Sequence, residues 1–218
     1  MLFLIVWPSA GSSMPEIPQG EKLKFQILRN GEPFGQHIIN FSRDENKIKA
    51  DIEINMKLGL AFVTLFRYEH QNTEVWKDGQ LYSINARTND NGNKYQVQAQ
   101  RQDGKVYING SGGEMAAEPT ITAGTYWWKE MLDGKRILNT QTGKLKKVDV
   151  QKMGQEEVEV ADSTVQADHY VVKLPERDIH VWYDSDTNQW VDLRFSIRGS
   201  QIDYKRLTPL VKSGSGSQ

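Results

Sequence analysis

The chain has no cysteine, four histidines, seven prolines and no surplus of either charge. Without cysteine there are no disulfides, no thiolate nucleophile and no Cys-based metal site. The histidines (His37, His70, His169, His180) lie on separate segments, whereas a zinc site needs three or four converging ligands. Neither a metal nor another cofactor is therefore expected. Lys and Arg number 27 against 28 Asp and Glu, giving a formal net charge of −1. That balance removes any global electrostatic case for nucleic acid or an anionic membrane as partner. No apolar run approaches the ~20 residues that cross a bilayer as a helix, so the mature chain is read without a transmembrane segment.

What is present describes a folded protein: 218 residues with 38% hydrophobic and 25% charged residues, long enough for one sizeable core. The apolar burst Leu2 to Trp7, followed by Pro8 and the small residues Ser9 to Ser13, has the form of the back half of a secretory signal, although its basic leading region is missing. Residues 1–13 are read as a signal-peptide remnant, 14–20 as a disordered lead-in, 21–208 as a single β-barrel-like domain and 209–218 as a flexible Gly/Ser tail. A periplasmic or secreted bacterial protein follows from that reading.

From Glu21 onward the pattern alternates with period two, as half-buried strands require. Leu23, Phe25 and Ile27 alternate with Lys22, Lys24 and Gln26, and Ile48, Ala50, Ile52, Ile54 and Met56 repeat the pattern. Asn30-Gly31, Asp78-Gly79, Asn91-Gly92 and Asp103-Gly104 fall between such runs and predict tight hairpin turns. Leu58 to Phe66 is the most apolar stretch of the domain and reads as the start of one long bent strand reaching Trp76. Residues 111–119 read as loop, and Tyr126 to Leu132 as a short helix with Thr125 as a cap candidate and Gly134 as its stop. About a dozen strands are too many for a flat sheet. The fold class is all-β with one short helix: an antiparallel meander forming a closed or half-open β-barrel, the helix acting as plug or lid.

These residues resemble a known family. The phrases that carry the resemblance are Thr125 to Trp128 before the helix, Asn139 to Leu145, Ala167 to Tyr170, His180 to Asp184, and Arg194 to Tyr204. Together they are similar to the DUF6134 family of exported bacterial proteins, a relative of DUF3108. The resemblance implies a periplasmic, β-rich domain and no mechanism. A weaker architectural similarity is to half-open lipoprotein carriers of the LolA and LolB type, which hold acyl chains in an apolar concave face.

Candidate chemistry is sparse. His180, Trp182 and Asp184 share a strand face, since side chains two apart point the same way, and His169 stands on the preceding strand. A His/Asp pair from His180, His169 and Asp184 would serve acid–base hydrolysis of an envelope polymer, but no nucleophile motif accompanies it. Asp184 to Asn188 imitates half a calcium loop, yet Gln189 and Phe195 stand where Gly and Glu are required. The aromatic set is more suggestive: Trp76, Tyr82, Trp127, Trp128, Trp182 and Trp190 would line an apolar pocket, with Arg194 and Arg198 at its mouth for an anionic headgroup. The expectation is non-catalytic binding of an apolar or amphipathic ligand, a hydrophobic small molecule or lipid. The alternatives are the hydrolase and a structural partner of envelope proteins.

Overall fold

In the first strand, β1 (Lys22–Arg29), Leu23, Phe25 and Ile27 are fully buried and Lys22 faces solvent. The computed structural model describes residues 17–18, 20–60 and 63–210. The signal-like segment 1–13 and the tail from 211 onward lie outside the described residues. The alternation continues through β2 (Glu32–Asp44), β3 (Lys47–Leu60), β4 (Val63–Lys77), β5 (Gln80–Asp90), β6 (Asn93–Gln102) and β7 (Lys105–Gly110). Five hairpin turns are Asn30-Gly31, Asp78-Gly79, Asn91-Gly92, Asp103-Gly104 and Arg198-Gly199, each with both residues at positive φ. That is the turn geometry whose twist matches antiparallel strands.

Two elements depart from the sequence reading here. Leu58 to Trp76 is not one strand: β3 ends at Leu60, β4 begins at Val63, and the two pair antiparallel with Leu58 opposite Phe66. The break is hard to see in sequence because Gly59 is the run's one customary turn residue and apolar residues surround it. Residues 111–119 are not all loop either, since β8 (Gly113–Ala117) pairs with β7.

The central segment holds β9 (Thr122–Ala123), a 3-10 helix (Lys129–Asp133), β10 (Arg136–Leu138) and β11 (Leu145–Lys147). The expected helix from Tyr126 is shorter and tighter than the pattern predicts. Tyr126 sits at φ 63, outside any right-handed helix, and the 3-10 turn starts only after Trp128 with no side-chain cap. The remaining strands are β12 (Asp149–Val160), β13 (Ser163–Leu174), β14 (Arg177–Asp184), β15 (Trp190–Ile197) and β16 (Ser200–Arg206).

Thirteen strands form one antiparallel sheet in the order β12-β13-β14-β15-β16-β1-β2-β3-β4-β5-β6-β7-β8. β16 returns beside β1, with Ile27 opposite Tyr204. The sheet curls until inward residues of distant strands meet: Trp190 of β15 packs its ring 5.4 Å from His37 of β2. Among the described residues it does not close, because β12 and β8 each have one partner. The three-stranded sheet β11-β10-β9 lies against the inside, and Ile121, Met131, Leu132, Ile137 and Leu138 join the main core. The architecture is a barrel-like sheet with an internal plug.

Gly35 marks the tightest approach in the wall. A Cβ there would lie 2.2 Å from the Asn55 carbonyl oxygen and 2.9 Å from Met56 Cα, so only glycine lets β2 and β3 meet at this point.

Candidate functional site

At one end of the interior the plug is fastened by a buried carboxylate. Glu74 of β4 is completely buried. Its Oε2 accepts hydrogen bonds from the indole N–H of Trp76 and of Trp127, both at 3.0 Å, and its Oε1 accepts from Asn72 Nδ2 at 2.9 Å. Burial pushes the Glu74 carboxyl up, and the hydrogen bonds from Trp76, Trp127, Thr125 and Asn72 oppose that rise. Trp76 stands edge-on to both Trp127 and Trp128, with centroids 5.8 and 4.6 Å apart. Asp168 of β13 holds the helix from the other side through Lys129 Nζ at 3.4 Å, and also pairs with Lys152 Nζ of neighbouring β12 at 3.0 Å. Burial alone would raise Asp168, but hydrogen bonds from Gln155, Lys152 and Lys129 bring it down to about 2.

Toward the opposite end, where the Asn30-Gly31, Asn91-Gly92 and Arg198-Gly199 turns lie, the inward face changes character. His37 is buried in a box of Phe25, Trp190 and Tyr204, and neither ring nitrogen has a hydrogen-bond partner. Burial, reinforced by nearby His70, depresses it to about 3. His70 Nδ1 bonds Thr88 Oγ1 at 2.8 Å and its Nε2 meets Thr140 Oγ1 of the plug at 3.3 Å, and burial lowers it to about 4. One register step outward stand Tyr68, Met56, Gly35, Ile27 and Tyr204, consecutive across five strands. Tyr68, Tyr126 and Tyr204 all resist ionisation, first through burial and, for Tyr68 and Tyr126, also through proximity to Tyr204.

The apolar side chains of this end are only half-buried. Phe34, Ile54, Met56, Phe195 and Ile197 pack against the main core yet keep part of their surface open, and Phe34 stacks on Phe66 at 5.7 Å. Phe34, Gly35, Met56 and Tyr68 also border a cavity of about 670 Å³, but the rest of its lining, including Gln36, Ile38, Asn55, Lys57 and Arg67, alternates with the inward residues and belongs to the outer face of β2–β4.

A third constellation lies on the outside of the sheet. Glu156 Oε1 is 2.8 Å from His169 Nδ1, and His169 Nε2 is 2.9 Å from His180 Nδ1. If His169 Nδ1–H donates to the carboxylate, its Nε2 accepts from His180 Nδ1–H, which leaves His180 Nε2 as an acceptor. His169 stacks on Trp182 at 4.3 Å, and the Arg194 guanidinium lies 5.4 Å over the same indole. Burial pushes Asp192, opposite Trp182, up to about 7.

Comparison with known proteins fixes the lineage. The family model "Domain of unknown function (DUF6134)" matches residues 25–207. The chain belongs to the DUF6134 family. No curated protein matches it in sequence. The DUF6134 fold has a structural counterpart in the crystal structure of a "Beta-barrel-like Protein of Domain of Unknown Function DUF1849" from Brucella abortus. The two share 10% identity at a TM-score of 0.64, over 89% of this chain and 97% of that one. At that identity the likeness speaks for the barrel-like fold alone. Among the described residues no helix is long and apolar enough to cross a membrane, and no group of three or more His, Asp or Glu side chains is placed to hold a metal ion.

In this DUF6134 chain the residues singled out from sequence do not form one pocket. Trp76 and Trp127 are buried in the main core and Trp128 packs against it beside Glu74, whereas Trp190 is buried in the core against Phe25 and His37. Tyr82 is 38% exposed on the outer face, because a bulge between Val75 and Trp76 shifts the β4–β5 register. Trp182 belongs to a separate outer cluster with Val158, Val160, Ala167 and Val191. Arg194 is outside and paired with Asp203 at 2.6 Å, and Arg198 forms a turn. No single cavity mouth therefore joins the two arginines. His180 does not bond Asp184, whose Oδ1 instead accepts from the backbone N–H and hydroxyl of Thr187 and shapes the turn before Trp190. The partner of His180 is His169, and the carboxylate is Glu156, which sequence spacing did not single out. A bulge between Lys152 and Gly154 sets that pairing.

Proposed function

We propose that this DUF6134 domain is a non-catalytic binding protein for an apolar or amphipathic ligand, held at the barrel end where the Asn30-Gly31, Asn91-Gly92 and Arg198-Gly199 turns lie. One observation carries the reading: inward-facing Phe34, Ile54, Met56, Phe195 and Ile197 pack against the core yet are left half-open there. Small-molecule sites are concave, largely apolar, and edged by a few polar groups. The aromatic tryptophans contribute indirectly, by packing the other end and holding the plug. A location outside the cytoplasm is part of the proposal and rests on Leu2 to Ser13. N-terminal sequencing of the protein recovered from the periplasm tests it.

Titration with the fluorescent probe N-phenyl-1-naphthylamine tests the ligand reading. Saturable enhancement, reversed by a long-chain fatty acid, is expected. Met56→Glu should weaken probe binding about tenfold by placing a charge against apolar surface. Met153→Glu, on the exposed strand β12, should leave it unchanged. Unsaturable enhancement, or a Met56→Glu protein that binds like the parent, overturns the reading.

A second reading, acid–base hydrolysis of an envelope polymer, is favoured only by the Glu156–His169–His180 chain, which leaves His180 Nε2 as an acceptor. Loss of polymer turnover in His180→Ala with unchanged thermal stability would support it.

A further inference from the structure

The outer face of β4–β8 carries a groove of about 710 Å³ with a composition unlike the rest of the surface. Register places Thr73, Asn85, Gln98, Asn109 and Glu114 directly opposite one another on five successive strands. A neighbouring row runs Ser83, Gln100, Tyr107. All eight line the groove, and Glu114 is the one charged side chain among its lining residues. In a chain one-quarter charged, that is a long neutral track. Strands about 4.8 Å apart set the repeat, so the first row extends about 19 Å.

Each amide offers two donors and an acceptor, and each hydroxyl offers both. The Asn85, Gln98 and Ser83 side chains make no hydrogen bond to another protein group among the described residues. Thr73 donates to Asp51 at 2.7 Å, Gln100 to the Arg101 carbonyl at 3.3 Å, and Asn109 reaches Glu114 at 3.4 Å. Tyr107 is 47% exposed and presents a ring face at the side of the track. The aliphatic lining residues Ile84, Ala99 and Ile108 are buried in the core and offer a lipid little side-chain surface, and an anion finds no lining cation. The complementary ligand is neutral, elongated, rich in both donors and acceptors, and bears C–H faces that stack on an aromatic ring. Those are the properties of a polysaccharide chain.

We propose that this groove binds a neutral glycan lying across β4 to β8, its hydroxyls bonded to the Asn85–Gln98 row and one sugar ring on Tyr107. The site is on the opposite face of the wall from the apolar end described above.

Affinity electrophoresis of the full chain through gels containing dextran, starch, hydroxyethylcellulose or a β-1,3-glucan tests it, with alginate as the anionic control. Retardation by at least one neutral polymer, persisting at high salt, is expected. Tyr107→Ala and Asn85→Ala should each weaken binding about tenfold, the scale of one well-made neutral contact. Tyr82→Ala, exposed but outside the groove, should bind as the parent does. The variants change exposed side chains, and equal thermal midpoints exclude misfolding. No retardation by any neutral polymer, retardation by alginate alone, or parental binding in both groove variants overturns the proposal.

Discussion

His37 is the side chain with the least in its favour energetically. It is 4% exposed, both ring nitrogens lack partners, and burial depresses it to about 3. His70, lowered to about 4, shares the same layer of the interior. For both, the unfolded chain binds a proton near pH 6.5 that the folded chain refuses. Stability is therefore fully present above pH 6.5 and falls as pH drops toward 4 for His70 and 3 for His37. The loss is about 1.4 kcal/mol per pH unit for each histidine. His37→Leu should remove its share of that slope and add about 1–2 kcal/mol at neutral pH, by replacing an orphaned polar ring with an apolar group. Urea unfolding at pH 8, 6 and 5 reads both effects. A parent whose stability is flat across that range contradicts the assignment.

At the scale of elements, the plug depends on one carboxylate. Glu74→Leu orphans the indole N–H of Trp76 and Trp127 together with the Asn72 amide, and should cost about 3 kcal/mol or more. Glu74→Gln is a different case. Its carbonyl can replace Oε2 for both indoles, while Asn72, whose Oδ1 has no partner, can turn its amide toward the new NH2. That variant should stay within about 1 kcal/mol of the parent. Because burial raises the Glu74 pKa, the charge penalty it removes grows with rising pH, so any gain shows at the alkaline end. Thermal melts followed by tryptophan emission separate the two substitutions.

The long strands were legible because alternation at Leu23, Phe25, Ile27 and Ile48 to Ile54 is a direct image of a one-sided wall. The plug was not, since β9, β10 and β11 have two or three residues each and display no period. Side-chain direction failed where bulges intervened: Tyr82 follows the Val75/Trp76 shift, and the Glu156–His169 contact follows that at Lys152/Gly154. Trp182 was misplaced for another reason. Val181, Trp182 and Tyr183 are all buried, two in the main core and one in the outer cluster, so burial alone does not reveal the face.

The whole molecule is a wall with two free margins. β12 is mostly solvent-exposed along its first nine residues, while β1 is paired on both sides and buried at alternate positions. Hydrogen exchange should therefore be fast across 149–157 and slowest across 23–28. Mass spectrometry of peptic fragments checks this order. Strong protection along β12 would show that a further strand, from another molecule, lies beside it.

The pairing of β1 with β16 has a consequence for synthesis. Arg29 and Ser200, hydrogen-bonded in the finished fold, are 171 residues apart in sequence. β1 waits for its second neighbour until β16 has emerged, and until then one of its margins stays bare. Every product that stops before Ser200 shares that defect, whichever codon it stops at, because all of them lack β16. A bare, regular strand is what proteases and sticky neighbours engage. Placing the seam between β1 and β16 makes the arrival of β16 a condition for closing the wall beside β1.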